Sequence, residues 1–240
     1  MAEKITDSDV LLVVDVQNDF CPGGSLAVPG GDEIVPHVNQ LAGRFQHVIL
    51  TQDWHPPAHS SFASANPGRQ PFEVVTFPYG PQVLWPDHCV QETRGAAFHD
   101  GLHIPHAELI IRKGYRRAID SYSAFFENDR TTPTGLAGYL RERGLSRIFL
   151  AGLALDFCVR YSAEDGHRCG FDIVVIEEAT RGIDLNGSVD AAPLRSGRSP
   201  RLPPMMRPDA TLRGVTASGV REKSVPSPAR ALSAHAGAAR

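Results

Sequence analysis

The reactive side chains of this sequence collect at a few short stretches. Cys158, in GLALDFCV, follows an apolar run directly, where a strand would give way to a helix. Asp156 is suited to cap that helix, which would set Cys158 in its first turn. There the dipole and free backbone N–H groups favour a thiolate and could hold an oxyanion during acyl transfer. The bland alternative is a small core residue, the common fate of an unpaired cysteine; the charged neighbours of this position favour the nucleophile. Asp15 lies within VVDVQNDF, an apolar stretch where an unpaired carboxylate is costly, and Lys113 closes another such run. An ordinary ion pair would relieve that cost. The same pair could also move a proton to and from a thiol.

Asp53-Trp54-His55, together with His88 in WPDHCV, offers one oxygen and two imidazoles, a set suited to zinc, iron or manganese. His59 is near enough in sequence to be a fourth ligand or to orient one. His37, His47, His99, His103, His106 and His167 read as surface or capping residues. Phe20, Trp85 and Tyr122 would pass singly as core residues. Beside this chemistry they suit the walls of a site for a flat aromatic substrate.

Five apolar, β-branched runs must carry these groups: Val10–Val16, His47–Thr51, Leu109–Ile111, Arg147–Leu153 and Asp172–Ile176. They are near-continuously apolar, as strands covered on both faces are. Helical patterns lie between several of them, at Gly31–Phe45, Pro133–Arg143 and Cys158–Cys169. Such alternation predicts an α/β, doubly wound, mostly parallel sheet with helices on both faces. Ligands bind such sheets beyond the carboxyl ends of the strands, and four run ends here supply an ionisable or nucleophilic group. The long interruption Thr51–His106, rich in Pro, Gly, His and aromatic residues, reads as functional.

The chain of 240 residues has a formal net charge of -3, with 42 % hydrophobic and 21 % charged residues, which excludes wholesale disorder. That mild charge is a cancellation. Nine of the 24 basic but only two of the 27 acidic residues fall in 191–240, a net of +7 against -10 for 1–190. The expected division is a catalytic domain over 1–191 and a Pro/Ala/Ser/Arg-rich tail over 192–240 too poor in apolar residues to pack. The acidic body argues against nucleic acid as a partner. The opening MAEKITDSDVLLVV lacks the apolar core of an export signal, and no stretch approaches the ~20 apolar residues of a membrane span. The expectation is a cytoplasmic protein, free of membrane, whose Cys21, Cys89, Cys158 and Cys169 are free thiols.

Taken together, VVDVQNDFCPGGSLAV, TQDWHPPAHSSFA, WPDHCV, KG…DSYSAFF, GLALDFCVRYSAEDG and EEATRGIDLNGS resemble the nicotinamidase/pyrazinamidase branch of the isochorismatase-like cysteine hydrolases. The resemblance spans about Val10 to Ser188. It implies a catalytic triad of Asp15, Lys113 and Cys158, and a site for one divalent metal, zinc foremost, at Asp53, His55 and His88, with His59 a weaker fourth. It implies a cis peptide between Leu153 and Ala154 that turns the N–H groups of Ala154 and Cys158 toward an oxyanion. Phe20, Trp85 and Tyr122 would flank a pyridine ring. The implied reaction is hydrolysis of nicotinamide to nicotinate and ammonia, and of pyrazinamide likewise, through a thioester, in NAD salvage. Leu155 and Phe157 stand where relatives usually have Thr and Tyr, and the closing helix and strand of relatives have no counterpart after DLNGS. A replaced terminus of the frameshift kind is the expectation there, with loss of stability.

Three other readings compete. A sibling cysteine amidase would act on carbamoyl or ureido substrates, although such relatives generally lack the D-x-H…H set. Metal-bound water could be the nucleophile, with Cys158 as filler. A compromised, non-catalytic form could follow from the altered terminus.

Overall fold

A computed structural model describes residues 4–190. The 192–240 tail, and with it the expected boundary at 191, lies outside the described residues. The five apolar runs all form strands of one parallel sheet: β1 (Asp9–Val14), β2 (His47–Asp53), β5 (Leu109–Lys113), β6 (Arg147–Leu153) and β7 (Asp172–Arg181), in the order β5-β2-β1-β6-β7. β1 is buried along its whole length, which is why its sequence does not alternate. β2 and β5 run two residues further than the apolar patterns suggest, to Asp53 and Lys113, and β7 runs five further, to Arg181. Pairing with a neighbour carries these polar ends along.

The expected helices are all present but shorter. Gly31–Ile34 is a 3-10 turn that leads into α1 (Val35–Ala42), where Val35, Val38 and Leu41 face the core. α2 (Leu136–Glu142) starts late because Thr134 Oγ1 accepts the Leu136 N–H and Gly135 turns left-handed before it. The segment after β6 is a π-helical turn, Leu155–Val159, followed by α3 (Arg160–Arg168). Asp156 is not the cap expected there. The residue before the turn is Ala154, and no side chain caps it. The Asp156 carboxylate instead accepts hydrogen bonds from Ile183 N, Asp184 N and Ser188 Oγ, beyond β7.

Connections β1→β2→β5 step one way across the sheet, and β5→β6→β7 step the other. Right-handed crossovers then put α1 on one face and α2 and α3 on the opposite face. The direction reverses between β1 and β6, so a crevice opens at their carboxyl ends. The long interruption between β2 and β5 contains an antiparallel hairpin that its sequence did not announce, β3 (Val74–Phe77) with β4 (Gly80–Val83). No helix among the described residues is long and apolar enough to cross a membrane.

Two local features carry measurable weight. Gly152, at φ 118°, sits where the β6–β7 register shifts, and a Cβ there would meet the Val14 carbonyl oxygen of β1. Glu127 lies beneath Arg116, whose Nε stands 2.9 Å from Oε1. Burial pushes the Glu127 carboxyl up to about 7 against the pull of that guanidinium.

Gly152→Ala should therefore cost on the order of 3 kcal/mol or more and lower the urea midpoint clearly; an unchanged midpoint would refute the close approach. Because the folded pKa of Glu127 exceeds its unfolded value, its contribution is full below about 4.5 and is lost as pH rises through about 7. Urea midpoints of Glu127→Gln should accordingly decline less between pH 5 and pH 8 than those of the parent. Parallel declines would exclude Glu127 as the cause.

Candidate active site

Three strand ends meet at one ammonium group. Lys113, the last residue of β5, is fully buried, and its Nζ lies 2.8 Å from Asp15 Oδ2 and 3.0 Å from Asp53 Oδ1. It also donates to the Ser121 carbonyl at 3.0 Å and stands 3.4 Å from Cys158 Sγ. Two carboxylates, a carbonyl and a sulfur thus surround a group with three protons. Burial opposes the charge, but Asp15 and Asp53 hold Lys113 protonated, well above the ordinary lysine range. Burial pushes the Asp15 carboxyl up in spite of Lys113, which makes it the more basic of the two acids. Thr51 Oγ1 donates to Asp15 Oδ1 at 2.6 Å and fixes its orientation.

Cys158 faces this cation from the π-helical turn and is 7 % exposed. The first α-helical turn expected there is instead a π-helical one. Burial pushes the thiol well above its ordinary range, against the pull of Lys113, and Asp15 raises it further. A buried thiol beside an acceptor carboxylate keeps its proton until the acceptor removes it. The Leu153–Ala154 peptide bond is cis. All four cysteines are free.

Asp53 joins this cluster to a second one. Its backbone is clasped by the Gln17 amide, which accepts from Asp53 N and donates to Asp53 O, both at 2.8 Å, and donates to Ala96 O as well. The chain leaves β1 at Asp15 with φ 47°, so a side chain here continues the pairing that the backbone gives up. While Asp53 Oδ1 takes Lys113, Oδ2 faces His55 Nε2 at 3.0 Å and His88 Nε2 at 3.3 Å. His55 Nδ1–H donates to the Gly114 carbonyl and His88 Nδ1–H to the Pro86 carbonyl, which leaves both Nε2 atoms directed at Oδ2. Burial works against it, yet His55 and Lys113 keep the Asp53 carboxylate well below its usual range. One anionic oxygen and two imidazole nitrogens spaced this way are what ligands about 2.1 Å from a common ion require. The set fits a divalent metal.

His59 lies beside that set, and with His55 and Asp120 it forms a second buried group whose ligand atoms lie within 4.8 Å of one another. Its Nδ1 accepts from Ser61, and its Nε2–H points to the carbonyls of Arg116 and Ile119, so both nitrogens are engaged. Asp53, His55 and His88 converge; His59 pins the turn after β5 beside them. His37, His47, His99, His103, His106 and His167 are half-buried or exposed, as the sequence suggested.

A pocket opens onto Cys158 and Asp53, lined by Phe20, Trp85 and Tyr122, and also by Leu26, Asp120, Phe157 and Ile183. Trp85 meets Phe157 edge-on at 4.9 Å and Tyr122 at 6.1 Å. The Tyr122 hydroxyl accepts from Trp85 Nε1 at 3.1 Å and from Gln82 Nε2 at 2.7 Å, and Gln82 also donates to Asp120 Oδ2. Sequence reasoning missed Gln17, Thr51, Gln82 and Asp120. Only a polar side chain standing in otherwise apolar company could have marked the first two.

Compared with known proteins, residues 9–194 match the Isochorismatase domain family. The chain is 54 % identical to the nicotinamidase of Acinetobacter baylyi over 79 % of this chain and 88 % of that protein. It is similar to the structure of an Acinetobacter baumanii nicotinamidase/pyrazinamidase, with TM-score 0.78 and 57 % identity over 79 % of this chain and 91 % of the other. It is also similar to the zinc complex of the Pyrococcus horikoshii pyrazinamidase, with TM-score 0.63 and 36 % identity over 77 % of this chain and 92 % of the other. The chain belongs to the isochorismatase family.

Lys113→Met should lose about 3–5 kcal/mol of stability, because it leaves two buried carboxylates without their cation. Urea unfolding at neutral pH reads this, and a loss below about 1 kcal/mol would contradict the pairing. Gly114→Ala should empty the Asp53/His55/His88 set, since φ is 66° and a Cβ would lie 2.5 Å from His55 Cε1. Metal analysis after zinc loading and dialysis should find near-stoichiometric metal in the parent and little in the variant.

Proposed function

We propose that this chain is the family's amidohydrolase for nicotinamide, releasing nicotinate and ammonia, with pyrazinamide as a second substrate and NAD salvage as its setting. The observation that carries the reading is the convergence of Cys158 Sγ and Asp15 on Lys113 Nζ, at 3.4 and 2.8 Å, on the wall of an aromatic pocket.

The flat ring lies among Phe20, Trp85 and Tyr122, which exclude water and set its carboxamide against Cys158. Asp15 takes the proton from Sγ, and the sulfur attacks the carboxamide carbon. Lys113 Nζ steadies the thiolate and stays charged throughout. The N–H groups of Ala154 and Cys158 hold the tetrahedral oxyanion. As that intermediate collapses, the C–N bond breaks and Asp15 returns its proton to the leaving nitrogen, so ammonia departs and an acyl thioester remains. Asp15 then takes a proton from water, which attacks the thioester carbon. Sγ leaves with that proton, and nicotinate is released.

Asp53, His55 and His88 would hold one divalent ion, zinc before iron or manganese; when bound it supplies an anchor for the ring nitrogen. His59 belongs to the support of this site through the turn at Arg116–Ile119. Asp53 also couples metal set and triad, because its two oxygens serve one each.

Ammonia release from nicotinamide, compared with N-carbamoyl substrates, tests the assignment: release only from the latter would replace it with a carbamoyl amidase. Cys158→Ala should lower kcat by at least ~10³-fold with an unchanged unfolding transition. Activity retained by that variant would point to a water nucleophile instead.

A further inference from the structure

The carboxylate of Asp156 is buried two residues before Cys158, yet it contacts neither the triad nor the metal set. Its Oδ1 accepts the Ile183 N–H at 3.0 Å, and its Oδ2 accepts the Asp184 N–H at 2.8 Å and the Ser188 hydroxyl. All three donors belong to the stretch that follows β7. Gly182 lets that stretch come close, since a Cβ there would lie 3.2 Å from Asp156 Oδ1 and 2.4 Å from Val189 Cγ2. Asp184, Asn186 and Gly187 turn left-handed and fold the stretch back, so Ser188 reaches the same oxygen as Asp184. Ile183, between the glycine and the first of these turns, lines the pocket together with Ala154, Phe157 and Cys158 from the nucleophile's own turn.

A carboxylate with three donors from one segment acts as a clasp, because charge-assisted hydrogen bonds to backbone N–H groups are short and directional. We propose that Asp156 is a positioning residue that clasps segment 182–188 against the nucleophile's turn, so that Ile183 completes the pocket wall and sets how tightly substrate is held. The clasp leaves the proton transfers at Cys158 unchanged. The proposal rests on the assignment of Cys158 as nucleophile for its kinetic consequence, but its structural part can be read without turnover.

Two full-length variants test it. Asp156→Asn replaces one acceptor oxygen with an NH₂ group that faces N–H donors, which releases the segment. Ser188→Ala removes one donor at the far end and leaves the nucleophile's turn intact. Two readouts apply: KM and kcat for ammonia release from nicotinamide, and the alkylation rate of Cys158 by iodoacetamide, followed by peptide mass with Cys169 as internal reference. Ser188→Ala should raise KM about three- to tenfold, the scale of one such hydrogen bond, with kcat within about twofold. Asp156→Asn should raise it ~tenfold or more. Alkylation of Cys158, relative to Cys169, should accelerate in the same order.

Unchanged KM and unchanged Cys158 alkylation in Ser188→Ala would overturn the clasp. So would a fall in kcat at constant KM. A lower melting temperature alone, without either readout moving, would assign Asp156 to stability only. If the parent releases no ammonia from nicotinamide, the functional assignment fails while the alkylation series still decides the clasp. Should Asp156→Asn not fold, Ser188→Ala and Gly182→Ala carry the test, the latter by pushing the segment off the carboxylate.

Discussion

A single buried ammonium organises this molecule. Lys113 has no access to water, so its charge must be matched inside the protein, and the matching groups come from other strands: Asp15 from the end of β1 and Asp53 from the end of β2. A buried cation costs several kcal/mol unless it is paired and hydrogen-bonded. Three strands must therefore end in register, and the Ser121 carbonyl must return to the same point. Besides the two carboxylates and the Ser121 carbonyl, Nζ also meets Cys158 Sγ, at 3.4 Å.

Chain topology makes that convergence possible. The sheet reverses its winding between β1 and β6, and these strands deliver Asp15 and the turn bearing Cys158. β2 and β5 lie on the β1 side and bring Asp53 and Lys113. Asp53 is the point at which the Lys113 cluster and the Asp53/His55/His88 group meet. Each of its oxygens has one duty, and the Gln17 amide holds its backbone from β1's extension. Neither half of the site could be moved without the other.

Much of this was legible in the sequence because burial on both faces leaves an unmistakable mark. Val10–Val14 and Arg147–Leu153 read as strands since nothing in them alternates, and acids or cysteine just past such runs were bound to be unusual. The Leu155–Val159 turn was not legible. Its π-helical geometry places Cys158 where a first α-helical turn would not, and Asp156, whose side chain could cap a helix or reach a distant loop, took the second course. The β3–β4 hairpin escaped notice for a plainer reason. Val74–Phe77 and Gly80–Val83 are short and partly exposed, so they lack the pattern that marks the central strands. His59 shows the limit of reasoning from residue type, since the same imidazole faces two carbonyls and also groups with His55 and Asp120.

The hairpin itself stands apart from the sheet, yet its Gln82 donates to both Tyr122 and Asp120 in the pocket and accepts from Asn128. A pocket wall is thus controlled from an element that carries none of the central strand pairing. Selection acting on this protein's descendants could reshape the aromatic-lined pocket through changes in a short appendage, while the sheet and its buried ion cluster stay untouched. Such a separation between the part that must not vary and the part that may drift is a source of evolvability, and here the Gln82 amide is one of its links.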